Sequence, residues 1–173
     1  RGLTGTDPDR LKEEKARQMT TDLGFAHLRL PAQTVKKSRP AVDTDIVVSF
    51  VDVPGHGKFL KNMLAGVGGL DMALLVVAAD EGPMPQTEQH AKILSALGIS
   101  RVLLVVTKCD MASPAQLSDA ISGSRELLQR VDLTLVDVAE VSNITKAGFG
   151  ELTEKLVNAL LDAGERESAR LNA

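Results

Sequence analysis

The sequence predicts an α/β fold in which a mostly parallel sheet is covered by helices on both faces. Two observations support this prediction. Short apolar, β-branched runs alternate with longer segments of helical periodicity, and each run ends in a cluster of polar or turn-forming residues. Alternating strands and helices form parallel sheets between two helical layers. Since ligands of such sheets bind beyond the carboxyl ends of the strands, the polar clusters indicate where a site is expected.

Five segments are predicted to be strands. The alternating apolar residues from Leu23 to Leu30 indicate a strand at the edge of the sheet, followed by an exposed turn at residues 36–40. The other four are short apolar runs without alternation, which is typical of strands buried on both faces. These runs are residues 47–51, 73–79, 102–106 and, more weakly, 133–141.

Helices are predicted between and after these strands from apolar periodicity and from capping residues. Ser113 and Pro114 supply an N-cap followed by a first-turn proline, and Gly98 ends the helix before them. Apolar residues recur at helical spacing in four segments, which are Phe59 to Val67, Ile93 to Leu97, Leu117 to Leu127 and Leu152 to Leu160.

The composition is that of one folded cytosolic domain. The chain has 173 residues, of which 43% are apolar and 25% charged, with a net charge of -3. Because there is no basic excess and phenylalanine is the only aromatic, neither a stand-alone nucleic-acid binder nor an aromatic stacking platform is expected. The single cysteine, Cys109, excludes an internal disulfide. No apolar run is long enough to span a membrane, so no membrane partner is expected.

The first polar cluster, Asp52 to His56, lies between a predicted strand and a predicted helix. An acid at a strand end can hold Mg²⁺ through water, and Gly55 after Pro54 can donate its backbone N–H to a phosphate oxygen. His56 could position an attacking water. The same residues also fit a plain strand-to-helix turn capped by Asp52, so this cluster alone leaves both interpretations open.

The second cluster, Thr107 to Asp110, ends a later strand. A carboxylate there can accept both N–H groups on the Watson–Crick edge of guanine, a pair of donors that adenine lacks. The aliphatic stem of Lys108 can lie over the plane of the base. Ser142, at the end of the next strand, could add a backbone contact. A polar loop and an ordinary turn residue are the alternative interpretations.

Taken together and in this order, the two clusters resemble the third and fourth motifs of the GTPase family, DxxG and [NT]KxD. Residues 80–87, DEGPMPQT, are similar to a stretch that translational GTPases share. The front of the chain, from Leu3 to Ala26, resembles switch I of the selenocysteine-specific elongation factors. Residues 58–69 fit the same family, as does Thr107, where elongation factor Tu has Asn. The resemblance covers nearly the whole chain.

This resemblance implies a P-loop GTPase-type three-layer sandwich that binds GTP or GDP with Mg²⁺. It implies that Thr20 and Asp52 hold the metal, that Gly55 donates to the γ-phosphate, and that His56 orients the hydrolytic water. It assigns guanine recognition to Thr107, Lys108, Asp110 and Ser142. The implied protein is cytoplasmic and monomeric and delivers selenocysteinyl-tRNA to the ribosome at recoded UGA codons. An mRNA hairpin would be bound through a C-terminal region beyond this chain.

The sequence departs from the family in one motif. A Walker A loop, G-x-x-x-x-G-K-[ST], does not occur, because Gly57-Lys58 is followed by Phe59 and has Asp52 where the first Gly would stand. We therefore expect the first strand and the phosphate loop to lie just ahead of Leu3. The GTPase domain is expected to span residues 1–163, with 164–173 as a polar tail or linker toward a β-barrel domain.

Two other interpretations remain open. One is a translational GTPase of the elongation factor Tu type. The other is a truncated, non-catalytic remnant, which is favoured by the lack of a phosphate loop and by Gln18, where the family usually has Gly. On any of these interpretations, the 173 residues are expected to be inactive as an isolated GTPase.

Overall fold

The computed structural model of the chain describes residues 2–5, 23–53 and 69–171, and of residues 166–171 only the backbone. The chain divides into two compact units, Arg1–Gly69 and Leu70–Ala173. Each unit has a sheet of its own among these residues. Thr20, Gly55 and His56 lie outside the described residues, as does the helix predicted from Phe59 to Val67.

The first unit contains an antiparallel pair of strands. Strand β1 (Gly24–Leu30) pairs with β2 (Ile46–Asp52) along its whole length, from Gly24 opposite Asp52 to Leu30 opposite Ile46. Ala26 and Leu30 of β1 are buried, whereas the residues between them are less so, as expected of a half-buried strand. Both strands are confirmed where the sequence predicts them.

A short helix, α1 (Ala32–Ser38), occupies part of the segment where the sequence predicts an exposed turn. Val35 is fully buried, and the two lysines of the last turn lie where the helix dipole favours cations. The carboxylate of Asp45 accepts the Ala32 N–H at 2.9 Å and the Arg29 guanidinium at 2.8 and 3.1 Å. The bond from Ala32, and then that from Arg29, lower the pKa of Asp45. A turn is present at residues 40–41, but the helix ahead of it was not predicted, because the residue that holds the helix start is distant in sequence.

The second unit is a three-stranded parallel sheet with three helices, in the strand order β3-β4-β5. Its strands confirm the predicted ones to within two residues, as do the helix end before Gly98 and the helix start at Pro114, whereas the last helix runs on to Leu171, well past the predicted apolar segment. At the start of the second helix of this unit, Ser113 accepts the Gln116 N–H at 3.3 Å, and the Gln116 side chain accepts the Ser113 N–H at 2.9 Å. The elements are β3 (Ala73–Ala78), α2 (Pro85–Ala96), β4 (Arg101–Thr107), α3 (Pro114–Arg130), β5 (Thr134–Glu140) and α4 (Phe149–Leu171).

The core of this unit is built around the central strand, β4. All five of its inner residues, Val102 to Val106, are buried although successive side chains point to opposite faces. Both faces of the sheet are therefore covered. Helices α2 and α3 pack against each other and against the strands, and α4 packs against β4 and β5. This is the layered α/β arrangement that the sequence predicts.

The loop between β5 and α4 returns closely against the end of β5. Gly148 has a φ of +80°, and a Cβ atom at this position would overlap the backbone carbonyl oxygen of Glu140. Only glycine meets both demands, because it tolerates the left-handed conformation and has no side chain. Gly148 therefore sets how the last loop of the sheet closes.

Replacing Gly148 with Ala is expected to destabilise the protein by about 2 kcal/mol or more, because the new methyl group collides with backbone and the left-handed φ becomes strained. The free energy of unfolding from chemical denaturation measures this effect. Gly164→Ala is the matched control, since Gly164 lies in α4 with nothing within 4 Å of the added Cβ. That change should be neutral or stabilise the helix by up to about 1 kcal/mol. Equal effects of the two changes would contradict this role of Gly148.

Candidate functional site

Three loops meet at the carboxyl end of the parallel sheet of the second unit. Backbone hydrogen bonds join them beyond the last paired residues of the strands. The Ala79 N–H donates to the Thr107 carbonyl at 2.9 Å, and the Val141 N–H donates to the Val106 carbonyl at 2.8 Å. The Cys109 N–H then donates to the Val141 carbonyl at 3.4 Å. The loops that follow β3, β4 and β5 are therefore fixed side by side.

The loop after β4 begins with a tight turn at Lys108. This residue has a φ of +58°, and its carbonyl accepts the Met111 N–H at 3.0 Å. Its Nζ lies 3.0 Å from Asp80 Oδ2 and 3.1 Å from Glu81 Oε1, both in the loop after β3. Hydrogen bonds to Asp80 and then to Glu81 raise the pKa of Lys108, so the amine stays charged at neutral pH. The preceding residue, Thr107, donates its hydroxyl to the Val77 carbonyl at 3.4 Å.

Asp110 presents its carboxylate to solvent. No hydrogen bond or ion pair within the described part of the chain engages this carboxylate. Ionised carboxylates act only as acceptors, and hydrogen bonds to them are stronger than those between neutral groups. Asp110 is therefore available to accept two N–H groups of a ligand at the end of the sheet.

Cys109, between these two charged residues, turns inward. Its thiol donates to the Val106 carbonyl at 3.2 Å, and burial raises the pKa of the thiol. A thiol with a raised pKa is a poor nucleophile. The side chain therefore fills space below the turn while its neighbours on both sides face outward.

Ser142 orders the loop after β5. The residue is 2% exposed, and its hydroxyl oxygen accepts the N–H groups of Ile144 at 3.2 Å and Thr145 at 3.1 Å. Its own N–H donates to the Ala147 carbonyl at 3.1 Å. The hydroxyl and the N–H are thus used within the loop, and the backbone contact to a base predicted for Ser142 stays a prediction.

The remaining predicted site residues belong to the first unit. Asp52 is the exposed last residue of β2. Thr20, Gly55 and His56 lie outside the described residues, so their proposed contacts with metal, phosphate and water stay predictions. Among residues 2–5, 23–53 and 69–171 there is no group of three or more His, Cys, Asp or Glu placed to hold a metal ion. Within the same ranges, each helix is too short or too polar to cross a membrane.

The structure adds two residues to the site that the sequence analysis did not assign there. Asp80 and Glu81 belong to the stretch shared by translational GTPases, but no partner for them was predicted. The available signal was their position directly after a buried strand, since the ends of parallel strands meet at one edge of a sheet. Which cation they bind could not be read from that position.

Comparisons with known proteins show which family the chain belongs to. The sequence profile of the elongation factor Tu GTP binding domain matches residues 3–162. The selenocysteine-specific elongation factor of Escherichia coli is 40% identical over 167 residues, which are 96% of this chain and 25% of that protein. Its counterpart in Haemophilus influenzae is 46% identical over 121 residues, which are 70% of this chain and 17% of that protein.

Solved structures of selenocysteine-specific elongation factors are also similar to this chain. A crystal structure of the bacterial selenocysteine-specific elongation factor EF-Sec superposes with a TM-score of 0.79 at 32% identity, covering 93% of this chain and 26% of that one. Elongation factor SelB from Methanococcus maripaludis, in complex with the GTP analogue GppNHp, has a TM-score of 0.64 at 27% identity, covering 83% of this chain and 28% of that one.

The chain spans about a quarter or less of the length of the curated relatives it matches. The matched part is the GTP-binding region, and the profile match extends over nearly all of the sequence. The chain belongs to the family of elongation factor Tu GTP-binding domains.

Proposed function

We propose that the chain is the GTP-binding and GTP-hydrolysing domain of an elongation factor that delivers selenocysteinyl-tRNA to the ribosome at recoded UGA codons. The observation that carries the nucleotide part is the turn from Thr107 to Asp110, which holds a charged lysine and an unengaged carboxylate at the carboxyl end of a parallel sheet. The names of the relatives at 40–46% identity support the part that concerns selenocysteine.

In this proposal the carboxylate of Asp110 recognises the Watson–Crick edge of guanine. The two carboxylate oxygens accept hydrogen bonds from the N1–H and the 2-amino group, which adenine does not offer together. The aliphatic stem of Lys108 lies along the face of the base, while its ammonium stays with Asp80 and Glu81. The loop ordered by Ser142 closes the site on the side of β5.

The proposed contacts with phosphate and metal rest on the motif at Asp52 to His56 and on Thr20. Hydroxyl and carboxylate oxygens suit Mg²⁺, so Thr20 and Asp52 fit that ion chemically, and Asp52 is exposed at the end of a strand. Bound there, the ion would neutralise charge on the phosphates. Gly55 donates its N–H to the γ-phosphate, and His56 orients the attacking water. Loss of the γ-phosphate then releases the segments around Thr20 and Gly55.

The proposed partners follow from the same assignment. They are selenocysteinyl-tRNA, the ribosome, and an mRNA hairpin bound by a C-terminal region beyond this chain. We place the protein in the cytoplasm as a monomer. The elongation factor Tu type is the competing assignment, and it is less favoured because the relatives and solved structures named above are selenocysteine-specific factors.

The base assignment predicts that Asp110→Asn changes the nucleotide specificity of the full-length protein. The amide exchanges one acceptor oxygen for a donor, which fits the 2-oxo group of xanthine rather than the 2-amino group of guanine. GDP affinity should fall about 100-fold, because one hydrogen bond becomes a donor–donor contact with the 2-amino group and the other loses its charged acceptor. Calorimetric titration with GDP and with xanthosine diphosphate measures both. Asp119→Asn, a change of the same kind on α3, is the control. Unchanged GDP affinity in Asp110→Asn would refute the assignment.

The hydrolytic assignment predicts that His56→Ala keeps GTP affinity but slows ribosome-stimulated hydrolysis about 100-fold or more, because the water is no longer oriented. Single-turnover phosphate release with and without ribosomes measures the effect. His90→Ala on α2 serves as the matched control and should hydrolyse GTP at the wild-type rate. If wild type and His56→Ala hydrolyse GTP equally fast on the ribosome, another group orients the water.

The assignment of the tRNA partner predicts a preference among aminoacyl-tRNAs. In the GTP state the protein should bind selenocysteinyl-tRNA at least about tenfold more tightly than ordinary aminoacyl-tRNAs, a difference of about 1.4 kcal/mol. Competition between the charged tRNAs, followed by protection of the aminoacyl ester from hydrolysis, measures the ratio. Equal affinities would instead favour a factor of the elongation factor Tu type.

A further inference from the structure

We infer that Asp80 and Glu81 are positioning residues for base recognition. Their carboxylates hold the Lys108 ammonium, so that the methylene stem of Lys108 forms one wall of the guanine site beside Asp110. The inference rests on the proposed function, because it specifies how the same nucleotide site is assembled. It extends the site from the loop after β4 to the loop after β3.

Backbone pairing brings the two loops to the same place. Ala78 stands opposite Thr107 in the parallel register of β3 and β4, and the Ala79 N–H then donates to the Thr107 carbonyl at 2.9 Å. Asp80 and Lys108 are the next residues after this hydrogen bond, one in the loop that follows each strand. The sheet therefore determines that an acid and a lysine emerge side by side.

A tight turn brings the second acid to the same amine. The N–H groups of Glu81 and Gly82 both donate to the Ala78 carbonyl, at 3.2 and 2.9 Å, and Gly82 has a φ of +69°. The chain thus folds back directly after β3, and Glu81 Oε1 comes within 3.1 Å of Lys108 Nζ. Asp80 Oδ2 lies 3.0 Å from the same nitrogen. Two carboxylates from consecutive residues hold one ammonium.

The arrangement restricts a side chain that is otherwise free to move. A lysine has four rotatable side-chain bonds, and a single exposed ion pair rarely holds it in one geometry. Here the backbone of Lys108 is also fixed in the left-handed conformation, and a second carboxylate binds the amine. With both ends of the side chain held, the stem between them has few conformations left. Binding of a nucleotide base therefore costs less entropy, because the lysine stem is already ordered.

Exposure argues against a purely structural purpose for this cluster. The side chains of Lys108, Asp80 and Glu81 are 43%, 31% and 56% exposed, and ion pairs at such surfaces contribute little to folding stability. Removing the acids should therefore leave the melting temperature nearly unchanged. An effect on nucleotide affinity without an effect on stability is what a positioning role predicts.

A mutant cycle between the two acids and Lys108, made in the full-length protein, tests the inference. The variants are Asp80→Asn combined with Glu81→Gln, Lys108→Met, and all three changes together, each titrated with GDP and with inosine diphosphate. The acid variant should bind both nucleotides about fivefold more weakly than wild type, by an equal factor, because the stem contacts the base face and not the 2-amino group. In the Lys108→Met background the acid changes should have no further effect.

Two controls make the result specific. Glu88→Gln removes a comparable ion pair, with Lys92 at 2.9 Å on α2, and should leave nucleotide affinity unchanged. Asp80→Glu keeps the carboxylate and should lose less nucleotide affinity than the acid variant. No loss in the acid variant, or the same loss in both backgrounds, overturns the inference while leaving the nucleotide site intact. Failure of the wild-type protein to bind guanine nucleotides would instead overturn the proposed function, and the inference with it.

Discussion

The parallel backbone pairing of β4 with β3 on one side and β5 on the other is the constraint on which the candidate site depends. The central strand is buried along its whole inner length, so its direction and register are fixed by the core. Parallel neighbours must then end at the same edge. The candidate site residues of the second unit lie where these three strands end, and the pairing continues through single hydrogen bonds into the loops.

Beyond that edge, order comes from contacts between loops and not from regular structure. Lys108 adopts a conformation that costs a non-glycine residue about 1 kcal/mol, which the surrounding contacts must offset. Ser142 closes the loop after β5 on itself, and Gly148 lets that loop pass against the end of β5. These features keep polar groups in place before any ligand arrives, which lowers the ordering cost of binding.

The charges at this edge have separate roles. The two acids after β3 are taken up by one lysine, whereas the acid at position 110 is left facing solvent with both oxygens available. Of the three carboxylates at this edge, only that of Asp110 has both oxygens unengaged by the described residues and free to accept hydrogen bonds from a ligand. This division suits a ligand edge that presents two adjacent donors, and it agrees with membership in a family of GTP-binding domains.

The sequence by itself determined the strands, the start of α3 and the place of the turn from Thr107 to Asp110 at the end of a strand. These depend on local signals: unbroken apolar runs for strands buried on both faces, the Ser113-Pro114 cap, and a short motif whose residues are neighbours in the chain. Only the tertiary structure decided the features that are held by residues distant in sequence. Helix α1 is held at its start by Asp45, and Lys108 is held by Asp80 and Glu81, both across sequence separations that no local pattern records. A hydrogen bond between distant residues exists only once packing has brought them together, so it cannot be read from either partner's neighbours.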